Sequence, residues 1–153
     1  MDHKLMRLRK LREAATKNAR CNADAVAAAF YRDNSVQVVG YNGPPTPMER
    51  CADLGCDWVP AGVAGTGRDH ARHLHAEVDA ITKAAAQGIA LAGCDVMITR
   101  APCPSCALAL IAVRVRAIYL PLEPGPPEGW VVVRDVLRSA GIRVFFIYRE
   151  EWR

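Results

Sequence analysis

The motif His75-Ala76-Glu77 is followed, 24 residues after its end, by a second motif, Pro102-Cys103-Pro104-Ser105-Cys106. The imidazole of His75 and the thiols of Cys103 and Cys106 are three side chains that bind zinc well. A catalytic zinc takes three protein ligands of this kind and leaves its fourth position open for water. The two motifs therefore predict a catalytic zinc site, formed where they meet.

The two motifs can share one site only if each stands at the start of a helix. Side chains two apart in mid-helix point to nearly opposite sides, so His75 and Glu77 can converge only where a helix begins. Cys103 and Cys106 are three apart, hence on one face of a helical turn, and Pro104 suits the first helical position. Two helix N-termini would then add positive potential, which favours thiolate and hydroxide.

Two simpler interpretations of the second motif remain open from the residues alone. A C-x-x-C pair is also typical of thioredoxin-like redox sites and of one half of a structural zinc knuckle. The presence of both motifs, one helix and one strand apart, favours a catalytic zinc over either alternative. A stoichiometric metal in the purified protein would separate the zinc site from a redox pair.

The composition is that of an ordinary soluble protein. The chain is 51% hydrophobic and 24% charged, which predicts a single domain over residues 1–153 with a full core. No apolar run is long enough to span a membrane, and the basic N-terminus lacks the apolar core of a signal peptide. Six cysteines without an export signal predict a reducing, cytoplasmic compartment. The net charge of +4 fits an anionic ligand such as a nucleotide, but is too small to indicate nucleic-acid binding.

Apolar periodicity predicts alternating helices and strands after an initial hairpin. The predicted helices span residues 2–20, 76–87, 103–113 and 130–140, with Gly88 and Gly141 as C-terminal caps. The predicted strands span residues 25–31, 36–39, 95–99, 115–120 and 142–148, although the alanines make the first strand ambiguous with a helix. This order predicts an α/β fold, a three-layer α/β/α sandwich with a mixed five-stranded sheet.

The first helix has one apolar side and is otherwise basic. Leu5, Leu8, Leu11 and Ala15 recur at helical spacing, and seven of the other positions up to Arg20 are Lys or Arg. A nucleic-acid patch is one interpretation of these charges. A solvated outer helix that packs its leucines on the sheet is the favoured one.

Residues 40–68 form the least regular stretch, rich in proline and glycine. A loop of this length in a compact domain is usually functional or held in place by something. The side chains available to hold it are Cys51, Cys56, His70 and His73.

Together these residues resemble the cytidine deaminase superfamily, and within it the deoxycytidylate (dCMP) deaminases. H-x-E followed by P-C-x-x-C is the signature of zinc deaminases, and the Gly-Tyr-Asn-Gly stretch narrows the resemblance to the dCMP group. The matching positions are Gly40-Tyr41-Asn42-Gly43 with Pro45, His75-Ala76-Glu77 with Ala80-Ile81, Thr99, Pro102-Cys103, Cys106-Ala107, Trp130, Leu137, Ala140-Gly141-Ile142 and Val144.

The resemblance implies a zinc-dependent hydrolysis of dCMP to dUMP and ammonia. It implies Glu77 as the proton shuttle, which serves a water whose pKa a zinc ion lowers toward about 7. It also implies that Asn42 lies at or near the sugar of a nucleotide, and that the N–H of Ala76 and the carbonyl of Ala101 read the base edge. The residues themselves leave Asn42 open as a plain turn residue before a glycine.

This chain departs from the family pattern at two places. Asp79 stands where family members usually have Asn, and family members usually have a Gly near the positions of Thr46 and Pro47. A carboxylate near a phosphate would repel it, so Asp79 bears on whether the substrate is phosphorylated.

The remaining cysteines and histidines predict a second, structural zinc. Cys21, Cys51, His70 and His73 are suitable ligands, and some dCMP deaminases resemble this chain in having a Cys after the first helix and another after the Gly-Tyr-Asn-Gly loop. The two histidines are three apart and are predicted to face one way on a helical turn. Cys56 is an alternative fourth ligand. The other interpretation is that Cys21 and Cys51 are small buried hydrophobic residues and that the histidines are polar loop residues.

Several properties of the whole protein are also predicted. The apolar surface of the 103–113 helix and the leucine side of the first helix predict a homo-oligomer. Many dCMP deaminases respond to nucleoside triphosphates, so the resemblance implies a possible effector. The alternative functions are deamination of another base, a nucleoside or a polynucleotide, and a non-catalytic, zinc-stabilised module that binds nucleic acid. A structural zinc has no use for a general base, so Glu77 argues against the last of these.

Overall fold

The computed structural model describes residues 3–21, 24–54, 58–59, 69–70, 72–122 and 129–148. Every predicted helix and strand is present, and three short elements appear in the stretch predicted to be irregular. In chain order the elements are α1 (His3–Asn18), β1 (Ala27–Arg32), β2 (Ser35–Tyr41), α2 (Cys51–Leu54), β3 (Trp58–Val59), β4 (Asp69–His70), α3 (Ala76–Gln87), β5 (Asp95–Ile98), α4 (Pro104–Ala112), β6 (Ala117–Pro121), α5 (Trp130–Ser139) and β7 (Arg143–Ile147).

A mixed sheet of five strands forms the centre of the fold, in the order β2-β1-β5-β6-β7. β1 runs antiparallel to both β2 and β5, whereas β5, β6 and β7 are parallel to one another. The α4 and α5 helices are the crossover connections that a parallel arrangement requires. The predicted five-stranded mixed sheet is therefore confirmed.

Helices cover both faces of this sheet. The leucines of α1 pack on one face with Ala27, Ala29, Met97 and Ile147. The other face is covered by α3, α4 and α5, whose buried side chains form a second apolar cluster with Phe30, Val96 and Ile118. The predicted three-layer α/β/α sandwich is confirmed. Within the described ranges, no helix is both long enough and apolar enough to cross a membrane.

The alanine-rich β1 lies at the centre of these layers. Ala27, Ala28, Ala29 and Phe30 are all buried, because α1 packs against one face of the strand and α3 against the other. Small side chains let both helices approach the sheet closely. Burial on both faces removes the polar-apolar alternation that would have distinguished this strand from a helix in the sequence.

Two turn features of the sequence form as predicted. The β1–β2 hairpin turns at Asp33 and Asn34, both with positive φ (49° and 67°), which is the backbone of a type I′ turn. Gly88 ends α3 in the left-handed conformation, with φ 67°, and its N–H donates to carbonyls of the last turn.

Gly40 sets the distance between β2 and α3. A Cβ atom at this position would lie 2.1 Å from the carbonyl oxygen of Ala76 and 2.3 Å from the nitrogen of Ala80. Both are backbone atoms, so an alanine here would push the helix away from the strand. The glycine therefore leaves room for the first turn of α3, which contains Glu77, to lie close against the sheet.

Arg20, just beyond α1, holds the segment between β2 and α2. Its N–H donates to the carbonyl of Asn42 (2.9 Å), and its carbonyl accepts from the N–H of Cys51 (3.2 Å). Its guanidinium donates to the carbonyls of Pro44 and Met48. The part of the irregular stretch from Asn42 to Cys51 is thus tied to Arg20 by two backbone and two guanidinium hydrogen bonds.

Candidate active site

The N-termini of α3 and α4 bring the two motifs together. His75 immediately precedes α3, Cys103 immediately precedes α4, and Cys106 lies in the first turn of α4 with Pro104 as the first helical residue. His75 Nδ1 is 3.4 Å from Cys103 Sγ and 3.4 Å from Cys106 Sγ. The three donor atoms that the sequence singles out therefore converge on one point.

The spacing of these atoms fits a zinc ion. With Zn–N distances near 2.0–2.1 Å and Zn–S distances near 2.3 Å, a tetrahedral site separates the nitrogen from each sulfur by roughly 3.5 Å. The two observed separations of 3.4 Å agree with this value. A redox pair would not require an imidazole nitrogen equidistant from both sulfurs. His75, Cys103 and Cys106 can accordingly hold a zinc with one position open.

The thiols of Cys103 and Cys106 share a hydrogen bond that favours the thiolate form of Cys103. Hydrogen bonds with the Cys106 thiol and with His75 lower the pKa of Cys103 to about 4, in spite of its partial burial. The hydrogen bond to Cys103, together with burial and the nearby Glu77, raises the pKa of Cys106. The Cys106 N–H at the start of α4 also donates to Cys103 Sγ (3.5 Å). The surroundings of Cys103 therefore favour its thiolate form.

Glu77 is a buried carboxyl group beside the three candidate ligands. Glu77 is only 4% exposed. Burial raises the pKa of its carboxyl group above the ordinary value, whereas hydrogen bonds and the charge of His75 lower it. One of those hydrogen bonds is with the Cys106 thiol. A carboxyl group with a raised pKa, next to a metal site, is suited to accept and return a proton.

Ala76 and Ala101 flank the ligand residues. Ala76 is the first residue of α3, where an N–H has no partner within the helix, and the residue is fully buried. Ala101 lies in the connection from β5 to α4 and packs against the apolar core. Their contacts with a base edge remain predictions.

Asp79 is buried and its charge is balanced. Its Oδ2 accepts a hydrogen bond from the Tyr41 N–H (2.9 Å) and a charge-assisted one from Lys83 Nζ (2.6 Å). An Asn oxygen would accept the Tyr41 N–H equally well, so an Asp in this position keeps the link between β2 and α3. Lys83 offsets the added negative charge and weakens the expected repulsion of a phosphate. Lys83 was not among the residues predicted from the sequence, although its i,i+4 spacing from Asp79 is typical of helical ion pairs.

The amide of Asn42 is bonded to main-chain groups. Its Oδ1 accepts from the Val26 N–H (2.8 Å), and its Nδ2 donates to the carbonyl of Asp24 (2.8 Å). The side chain thus ties the end of β2 to the segment that leads into β1. An amide has a second N–H and further acceptor capacity, so a role near a sugar is compatible with this link and stays a prediction.

A second cluster of ligand-type side chains lies next to the loop that α1 holds. Cys21, Cys51 and His73 place their donor atoms within 4.8 Å of one another, and both thiols are buried. Cys51 Sγ is 2.6 Å from His73 Nε2, about 1 Å closer than the ligands of a tetrahedral zinc. A cation would have to separate these two side chains slightly. Three of the four side chains predicted for the second site thus lie close together.

The prediction of a helical turn for His70 and His73 is wrong. His70 belongs to β4, which pairs with β3 through Trp58, so the backbone there is extended. α3 begins only at Ala76, because the hydrogen bonds between Gly43 and Leu74 hold the preceding residues in a bridge to the β2 side. The side chain of His70, and all of Cys56, lie outside the described residues.

Comparisons with known proteins agree with this arrangement. A family model described as "Cytidine and deoxycytidylate deaminase zinc-binding region" matches residues 1–121. ComE operon protein 2 of Bacillus subtilis (strain 168) is 31% identical over 100 residues, which cover 65% of this chain and 49% of that protein. This chain thus spans about half the length of that relative. The deoxycytidylate deaminase of Enterobacteria phage T4 is 25% identical over 162 residues, covering 85% of this chain and 82% of the phage protein.

A solved structure has the same fold. The crystal structure of the dCMP deaminase from the cyanophage S-TIM5, in complex with dCMP and dUMP, superimposes with a TM-score of 0.70. The match covers 96% of this chain and 99% of the cyanophage chain, with 22% sequence identity.

Proposed function

Because the chain belongs to the cytidine and deoxycytidylate deaminase family, we propose that it is a zinc-dependent deaminase of a cytosine nucleotide, with dCMP as the preferred substrate. The observation that carries this proposal is the convergence of His75, Cys103 and Cys106 beside the buried Glu77. We infer that residues 1–153 form a single deaminase domain. A zinc-stabilised binding module would not need a buried carboxyl group beside its ligands.

In this mechanism, His75, Cys103 and Cys106 would hold the zinc. When bound, zinc acts as a Lewis acid and supplies hydroxide at neutral pH by lowering the pKa of water. Glu77 accepts the proton of that water at its carboxylate and passes it to N3 of the cytosine ring. The water oxygen bonds to C4, which becomes tetrahedral with one hydroxyl and one amino group. Glu77 then takes the remaining proton from this hydroxyl and delivers it to the amino nitrogen as the C4–N4 bond breaks, so that uracil and ammonia result.

The polar main chain around Glu77 would orient the base. The Ala76 N–H and the Ala101 carbonyl are the groups proposed to read its edge, and Asn42 is proposed to lie near the sugar. Both helix N-termini contribute positive potential at this point, which supports an anionic nucleotide as the ligand.

The phosphorylation state of the substrate depends on the pair Asp79 and Lys83. Asp79→Asn keeps an acceptor for the Tyr41 N–H and releases Lys83 from its ion pair. We expect this change to raise the preference for dCMP over deoxycytidine, measured as the ratio of their kcat/KM values, by about two- to fivefold.

Lys83→Gln serves as the opposing control, because it removes the cation and leaves the carboxylate. In this variant, the ratio of kcat/KM for dCMP to kcat/KM for deoxycytidine should fall. If both variants keep the wild-type ratio, position 79 has no bearing on the phosphate.

Ammonia release over a panel of substrates tests the proposed function. The panel consists of dCMP, deoxycytidine, CMP, cytosine, guanine and single-stranded DNA. We expect the highest kcat/KM for dCMP. Turnover of guanine or single-stranded DNA, without turnover of any cytosine nucleotide, would overturn the assignment.

We also propose that Cys21, Cys51 and His73, with His70 as the fourth ligand, hold a structural zinc. The three described members come from the end of α1, the start of α2 and the approach to α3. A metal there would tie these three segments together and would stabilise the fold, because its binding free energy is available only to the folded state.

The second site is tested by metal content. Wild-type protein should carry two zincs per chain, and Cys51→Ser should carry one, retain most of its turnover and melt roughly 5–10 °C lower. Cys94→Ser is the matched control, since Cys94 is buried and outside both clusters. It should keep two zincs. A single zinc per chain in the wild type, unchanged in Cys51→Ser, would refute the second site.

Assembly into a homo-oligomer and a response to a nucleoside triphosphate effector remain predictions. The apolar side chains that α4 and α5 leave exposed support the first of these, with Leu108 59% and Val132 67% exposed.

A further inference from the structure

A cavity of about 410 Å³ lies under the N-terminal half of α1. Its walls come from Lys4 and Arg7 of α1, the hairpin turn at Asp33, and the starts of β5 and β6 at Asp95 and Arg116. Cavities that hold small ligands have volumes of this order. The lining thus comes from α1, the hairpin and two neighbouring strands, and the cavity is partly open to solvent.

This cavity is remote from the candidate active site. β5 begins at the cavity with Asp95 and runs away from it to Ile98, beyond which the chain reaches Cys103. In addition, α1 covers the opposite face of the sheet from α3 and α4. A ligand in the cavity would therefore not contact the proposed catalytic residues.

Two of the cations at the cavity are held in place by aromatic rings. Lys4 Nζ lies 4.3 Å from the centroid of the Tyr119 ring, and the Arg7 guanidinium lies 5.2 Å from that of Tyr31. Arg7 also donates to the side-chain and main-chain oxygens of Asn34, both at 3.3 Å. Cations that are already positioned lose less conformational entropy when they bind an anion.

The lining has more cations than carboxylates. Three cations and two carboxylates line the cavity. Of these, Asp95 and Arg116 form a bidentate pair with each other, with both N–O distances 2.9 Å. The phenol groups of Tyr31 and Tyr119 line the cavity as well. Burial raises the pKa of Tyr31, so its hydroxyl remains a donor at neutral pH.

We propose that this cavity binds a small organic phosphate, with the phosphate group held by Lys4 and Arg7 next to the Arg116–Asp95 pair. Ammonium and guanidinium groups form charge-assisted hydrogen bonds with phosphate oxygens. Asp33 and the tyrosine hydroxyls, on the remaining wall, would contact the hydroxyl groups of the organic part. The site is separate from the proposed catalytic function and does not depend on it.

Calorimetric titration of the full, zinc-loaded chain tests the proposal, with inorganic phosphate and ribose 5-phosphate as probes. We expect saturable binding of both, tighter for ribose 5-phosphate. Arg7→Gln and Lys4→Gln should each weaken the binding by about tenfold or more. Lys10→Gln is the control, since it removes the same charge from an exposed position of α1 that does not line the cavity, and it should change the affinity less than about twofold.

Three results would overturn the proposal. These are the absence of saturable binding up to about 10 mM of either probe, equal affinity for the two probes, and equal weakening by Lys10→Gln and Arg7→Gln. Deamination by Arg7→Gln should match the wild type. An inactive wild type would contradict the proposed catalysis and leave the binding experiment valid.

Discussion

Glu77→Ala is expected to keep its zinc and to lose turnover by about 10²–10⁴-fold, the usual range for removal of a general acid–base group. Glu77 lies beside the ligands without belonging to the converging set of His75, Cys103 and Cys106. Its removal should therefore leave metal binding intact and stop proton transfer between water and the cytosine ring. Zinc content and kcat on dCMP, measured on the same preparation, separate the two effects.

Two further variants make this result specific. Glu77→Gln retains the shape of the side chain and should lose turnover to a similar extent, since an amide does not carry the proton. Glu13→Ala removes an exposed carboxylate from α1 and should retain the wild-type rate. A near-normal rate in Glu77→Ala would refute the proposed mechanism.

Cys106→Ser is expected to lose one zinc per chain together with essentially all turnover. The sulfur of Cys106 is 3.4 Å from His75 Nδ1, and the residue is 1% exposed. A serine hydroxyl stays protonated at neutral pH and is a poor zinc ligand, so the three-ligand site would be broken.

The comparison with the other cysteine variants identifies the site that is affected. Cys51→Ser should also lose one zinc but retain turnover. Cys94→Ser should keep two zincs per chain and the wild-type turnover. An active Cys106→Ser protein with full zinc content would show that this thiol is not a ligand.

The sequence predicted the two helix starts at the candidate site because the start of a helix is a local feature. The need for His75 and Glu77 to share a site required a helix that starts between them, and α3 begins at Ala76. Pro104 likewise marked the first residue of α4. Residues three apart in a helical turn are close in space regardless of how the rest of the chain folds.

What the sequence could not predict depends on contacts between distant segments. His70 lies in a strand because β4 pairs with β3, a pairing of two residues on each side that leaves no periodic signal. Gly40 is required by the approach of α3 to β2, which only the folded chain reveals. The cavity beside Arg7 is formed by α1, the hairpin and two strand ends, which lie far apart in the sequence.

Incubation of dCMP with the zinc-loaded protein in ¹⁸O-labelled water tests the proposed activity most directly. Hydrolytic deamination predicts dUMP and ammonia in equal amounts, with one ¹⁸O atom at C4 of each uracil. The absence of dUMP, or dUMP whose C4 oxygen does not come from the water, would contradict it.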